Sequence, residues 1–140
     1  MATHDRLTAP DGLAPGNGYA HAVVTSGDTA YVSGQVALDA SGSLVGGDDV
    51  AAQTEQCLAN VRRVLDALGA TWADVAKLGW YVVDASQVQV VRDARDRVLR
   101  PALGDLPNPA STLVQVAALF RPDLLVEVDA VVALPGPWGA

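Results

Sequence analysis

Hydrophobic and polar positions along the chain follow two rhythms. Ala20 to Thr25 and Thr29 to Ser33 read as extended segments around Ser26-Gly27-Asp28, which predicts a hairpin. The glycine-rich stretch from Asp39 to Asp49 predicts a loop. From about Asp49 the rhythm changes: Cys57, Leu58, Val61, Val64, Leu65 and Leu68 recur at helical spacing, and Gly69 supplies a stop. Thr71-Trp72-Ala73-Asp74 has the form of a capping box opening one short turn, and Val75 to Val83 follows as a strand. Ser86 to Arg100 predicts a second helix, capped by Ser86, striped with Val88, Val91 and Val98, and ended by Pro101. Asp93–Arg97 and Asp96–Arg100 are spaced to pair along it.

The stretch Pro107 to Leu134 reads as two extended segments joined by the turn Phe120-Arg121-Pro122-Asp123. The second segment, Leu124 to Leu134, is so continuously aliphatic that it predicts a strand buried on both faces. Glu127 and Asp129 interrupt it and, two residues apart, point to the same face. A carboxylate there is costly to bury without a partner. Either that face is merely solvated, or one of the two acids lines a pocket and handles protons. The element order is strand, strand, helix, strand, helix, strand, strand, which makes an α+β layer with two helices on one face of a sheet. Residues 1 to 18, rich in Gly, Pro and Asn, are expected to be an irregular arm of a single domain spanning 1–140.

Composition narrows the function classes. Half of the 140 residues are hydrophobic, enough for a real core. The net charge of −7 argues against nucleic acid as a general partner, because phosphate contacts need a basic footprint. No apolar run is long enough to cross a membrane, and no apolar leader follows His4, Asp5 and Arg6, so a cytoplasmic location is expected. The lone cysteine, Cys57, lies on the apolar face of a helix and reads as a packed thiol. His4 and His21 show no metal-ligand spacing, and neither a metal nor another cofactor is expected. Gly16-Asn17-Gly18 reads as a turn, and the three tryptophans and Tyr81 as packing residues.

Several motifs occur in a fixed order: Tyr31-Val32-Ser33-Gly34-Gln35, Asp49 to Gln56, Asn60-Val61, Pro109-Ala110-x-Thr112-x-Val114-x-Val116 and Val126-Glu127-Val128-Asp129-Ala130. Together they resemble the Rid/YjgF family, the reactive intermediate deaminases, over nearly the whole chain from about Tyr19 to Leu134. The resemblance implies a chorismate-mutase-like fold and a homotrimer with ligand clefts between subunits. It implies that Glu127 positions or activates a hydrolytic water and that Tyr19, Ser33 and Gly34 border the substrate, with Asp129 structural. One departure matters. Deaminating members carry an arginine after Pro-Ala that clamps the substrate carboxylate, and this chain has Ser111. Leu113 stands where many members have cysteine, which makes the pocket more apolar. Arg92 falls near the cleft in the family pattern; it either supplies a displaced cation or pairs with Asp96 on a solvated helix face.

The expected function is a small-molecule enzyme that hydrolyses an imine or enamine, or runs a related water- or proton-transfer step. Glu127 would be the acid/base and the substrate something other than a standard 2-imino acid. The alternative is a non-catalytic ligand-binding or protein-stabilising trimer that keeps the cleft. A ribonuclease fits poorly with an acidic chain and no histidine pair.

Overall fold

The computed structural model describes residues 3–139, with side chains from residue 5 onward. Strands β1 (Thr3–Leu7) and β2 (Ala22–Thr25) form a small antiparallel sheet. Strands β3 (Thr29–Val36), β4 (Val75–Val82), β5 (Ala110–Gln115) and β6 (Val126–Ala133) form a mixed sheet in the order β3-β6-β4-β5. Only the β4–β5 pair is parallel. Helices α1 (Val50–Leu68) and α2 (Val88–Leu103) pack on one face of it. The α+β reading, with both helices on one face, stands.

Helix α1 starts and stops where its chemistry requires. The Asp49 carboxylate accepts from the N–H groups of Ala51 and Ala52, and Gly69 closes the helix in the left-handed conformation at φ 70°. Its apolar stripe, Cys57, Leu58, Val61 and Leu65, is fully buried against Val126, Val128, Ala130 and Val132. At the short turn before β4, the Thr71 N–H donates to the Asp74 carboxylate at 2.9 Å, as the capping box predicts.

Five expectations are corrected. Residues 1 to 18 are not wholly irregular, since β1 pairs with β2. Its sequence carries no alternation; Arg6 anchors it, donating to the carbonyls of Pro107 and Ala73 at 2.8 Å each. Strands β2 and β3 do not form a hairpin. Gly27 turns the chain at φ 82°, but β3 then pairs with β6, where the Leu134 N–H donates to the Asp28 carbonyl. Helix α2 is entered through a 3₁₀ turn capped by Asp84, not Ser86, and runs past Pro101 to bury Leu103. Pro101 lacks the N–H that would reach the Arg97 carbonyl, but it lies in the last turn, where the Gly104 N–H still reaches the Arg100 carbonyl. The expected helix pairs are replaced: Arg97 pairs with Glu55, and Asp96 with Arg95, each at 2.9 Å. Finally, Trp72 and Trp80 are packed as expected, but Trp138 is 62% exposed.

Within the single chain, strand β6 is buried on one face only. Val126, Val128, Ala130 and Val132 are buried, while Glu127, Asp129 and Val131 on its other face are only half-buried in the chain. That open face also carries Tyr31, paired with Val131 and 82% exposed. The sheet is therefore covered on one side only.

Candidate functional site

Two groups of residues emerge, on opposite sides of the sheet. The first lines a cleft of about 250 Å³ between α2, the edge strand β5 and the loop before β2. Ser111 and Leu113 face it from β5, paired with Leu78 and Trp80 on the core side of β4. Tyr19 comes from the loop and Arg92 from α2. Four of the sequence-derived positions thus meet in one cavity. Arg92 lines the cleft, and Asp96, its alternative partner, is engaged by Arg95 and by Asn108 instead.

The same cavity is lined by Asn17, Trp80, Val88, Val91 and Arg95, which the sequence reading had not assigned to a site. Arg95 is the most telling. It falls on the apolar stripe between Val91 and Leu99, and a charge at a core-facing helical position was the available signal. Asn17 belongs to the Gly16-Asn17-Gly18 turn. That turn is shaped by Gly16, where a side chain would collide with the Tyr19 carbonyl, and by Gly18 at φ 72°. Asn108 ties the loop down by donating to the Gly18 carbonyl at 2.8 Å, and the Ala20 N–H donates to the Pro109 carbonyl at 3.2 Å. The Tyr19 ring meets His21 edge-on with centroids 5.4 Å apart, and His21 Nε2 lies 2.8 Å from the Ala14 carbonyl.

The second group sits on the open face. Strand β3 bulges at Ser33-Gly34, where its register with β6 shifts. A Cβ at Gly34 would lie 2.6 Å from Glu127 Cδ and 2.8 Å from Oε2, so the missing side chain is what lets the carboxylate rest there. Ser33 is exposed beside it. Desolvation, and then the charge of Asp129, push the Glu127 carboxyl above the usual glutamate range. Asp129 accepts a hydrogen bond from the Tyr81 hydroxyl at 2.8 Å and lies against Gly79, where a Cβ would collide with Oδ1. Its charge is thus tied to a partner, whereas Glu127 has no hydrogen-bond partner among the described residues.

The positions around Glu127 are fixed from behind. Buried Gln53 of α1 donates to the carbonyls of Gly47 and Asp123 and accepts from the Leu125 N–H, setting the entry into β6. Asn60 donates to the carbonyls of Val36 and Leu38 and pins the end of β3. Cys57 is buried with its thiol pushed up to about 12 by desolvation and then by Glu127, which leaves it unionised and inert. Among the described residues, no group of three or more His, Cys, Asp or Glu side chains could hold a metal ion, and no helix is long and apolar enough to cross a membrane.

Residues 9–134 match the family model described as Endoribonuclease L-PSP. The chain is 34% identical over 130 residues to the 2-iminobutanoate/2-iminopropanoate deaminase of Bos taurus, covering 92% of this chain and 86% of that protein. It is 32% identical over 123 residues to the RutC family protein slr0709 of Synechocystis, covering 87% and 90%. Among solved structures, YyfB of Yersinia pestis, a protein of unknown function in the conserved Rid family, superposes with a TM-score of 0.83 at 39% identity, covering 96% of this chain and all of that one. The YjgF gene product of E. coli superposes with a TM-score of 0.68 at 25% identity, covering 95% and 97%. With a family model matching most of its length and relatives above 30% identity, this chain belongs to the Rid/YjgF family.

Proposed function

We propose that the protein is a small-molecule enzyme that hydrolyses an imine or enamine, or runs a related water- or proton-transfer step, with Glu127 as the acid–base group. The observation that carries this reading is the Glu127 carboxylate, lodged over the bare Gly34 with its proton affinity raised by burial and by Asp129. A carboxyl group so poised exchanges protons nearer neutral pH than an ordinary glutamate does. In imine hydrolysis, water adds to the C=N carbon while the base takes its proton. The same group returns that proton to nitrogen and then carries the carbinolamine's hydroxyl proton to nitrogen as well, so that the C–N bond breaks, ammonia leaves and the carbonyl forms.

The homotrimer belongs to this proposal. Glu127, Ser33 and Gly34 lie across the sheet from the cleft that holds Tyr19, Ser111 and Leu113, so one chain cannot present both groups to one ligand. Association through the open face would set Glu127 of one subunit toward the cleft of its neighbour and cover Tyr31, Val131 and Val114. The bovine relative is named for 2-imino acids, but Ser111 here offers a single neutral hydroxyl from β5. The favoured substrate therefore lacks an α-carboxylate or presents it differently. An RNA substrate is disfavoured by a net charge of −7 and by a cleft of about 250 Å³.

Replacing Glu127 with Gln tests the assignment, since it preserves size while removing the base. Turnover of a panel of imines and enamines should fall about 100-fold with ligand affinity nearly unchanged. Unaltered turnover in a folded Glu127→Gln protein removes Glu127 from the chemistry. Binding without turnover in the wild type across that panel replaces the enzyme by the non-catalytic ligand-binding module.

A further inference from the structure

We propose that Arg95 of α2 is the anion-holding group of the cleft, and that its ligand is a small carboxylate whose acid group is presented toward α2 instead of β5. This rests on the reading of the cleft as the ligand site. The Arg95 side chain is only 7% exposed, yet it carries a full charge. A buried guanidinium is costly unless its donors are matched. Its Nε donates to Asp96 at 2.9 Å, but Asp96 is 43% exposed and also accepts from Asn108 at 3.3 Å. The two Nη groups have no hydrogen-bond partner among the described residues.

The surroundings favour an anion from outside the chain. Arg95 and Arg92 both line the cleft, and no carboxylate does, in a protein with 16 acidic residues against nine basic ones. The guanidinium is also held in place. A side chain at Gly18 would collide with Nη2 and come within 3.2 Å of Cζ, so the loop backbone closes over it. With Nε engaged, what remains is the terminal pair of nitrogens, a planar fork that matches the two oxygens of a carboxylate. The cavity of about 250 Å³ equals roughly eight waters at about 30 Å³ each, which limits the ligand to a few carbons against Trp80 and Leu113. Ser111 leaves the strand side uncharged, so the cationic anchor comes from the helix.

Calorimetric titration with pyruvate and with 4-oxopentanoate, each against its primary amide, tests this. At least one acid should bind about tenfold more tightly than its amide, and Arg95→Met should erase that preference while Arg92→Met reduces it only a few-fold. Absence of the preference in the wild type, or its survival in Arg95→Met, overturns the proposal. If Arg95→Met does not fold, Arg95→Lys keeps the charge without the fork; a loss of about fivefold is expected, and an unchanged preference overturns the proposal. Inorganic phosphate binding as tightly as the better acid overturns the choice of carboxylate. The outcome is separable from that of Glu127. Arg95-dependent binding without hydrolysis keeps this inference and removes the enzyme, whereas Glu127-dependent hydrolysis with no preference for acids does the reverse.

Discussion

On the helix side of the sheet, the polar groups lining the cleft are Arg92, Arg95, Ser111, Asn17 and Tyr19, with no carboxylate among them. On the open side, Glu127 and Asp129 stand together, and Tyr81 is committed to Asp129. The Tyr81 phenol is pushed up by the hydrogen bond it donates and then by the charge of that carboxylate, so it stays protonated. One sheet thus keeps cationic and acidic chemistry apart. The strand period of two does the sorting: Ser111 and Leu113 turn toward the helices, and Glu127 and Asp129 turn away. Within one chain a strand layer separates the acid from the cationic cleft, so the two can act on one ligand only through the proposed association.

The sharpest way to break this comparison is to prevent the open face from being covered. Tyr31 contributes almost nothing to the chain's own core, so Tyr31→Glu should leave the subunit folded. Three added carboxylates beside Glu127 and Asp129 would oppose association. Wild-type protein is expected at trimer mass by light scattering, and the variant at monomer mass with turnover lost. A wild-type monomer at micromolar concentration would sink the trimer and the shared site together.

A smaller effect sharpens the open face alone. In Gly34→Ala the new methyl would meet the end of the Glu127 side chain, which can swing aside. Stability should therefore change little, while turnover falls about tenfold because the carboxylate no longer rests where the bulge held it. A variant with full activity would show that the position of Glu127 over Gly34 is incidental.

Much of this arrangement was legible in the sequence, and the gaps have physical causes. Helix α1 was readable from end to end because its apolar stripe and terminal glycine agree. The shared face of Glu127 and Asp129 followed from strand geometry. Strand β1 was not readable, because side-chain hydrogen bonds from Arg6 hold it and no hydrophobic alternation marks it. The expected hairpin failed because a local turn signal at Gly27 cannot say which distant strand takes the next segment. In the site, motif positions located Tyr19, Ser111 and Leu113. Arg95 was marked only as a charge on the apolar stripe of α2, and what that charge faces depends on its burial against the Gly18 backbone, which the stripe alone does not encode.

The smallest expected effect concerns the proton on Glu127. Its carboxyl is raised by desolvation first and by Asp129 second, so the folded chain holds that proton more tightly than the unfolded chain does. By linkage, the stabilisation this group contributes is fully present below the ordinary glutamate range and is lost as pH rises through the raised value. At neutral pH the ionised carboxylate is therefore a net cost to the fold. Glu127→Gln carries no such charge at any pH. Its melting temperature should exceed that of wild type by roughly 1–3 °C at about pH 8, and the two should converge at about pH 4. A gain of the same size at both pH values would assign it to packing instead of charge. A loss confined to high pH would mean that folding favours the ionised form, which reverses the sign of the shift. Measured beside Gly34→Ala, whose difference in melting temperature from wild type should barely change with pH, this separates the charge of Glu127 from the shape of its niche.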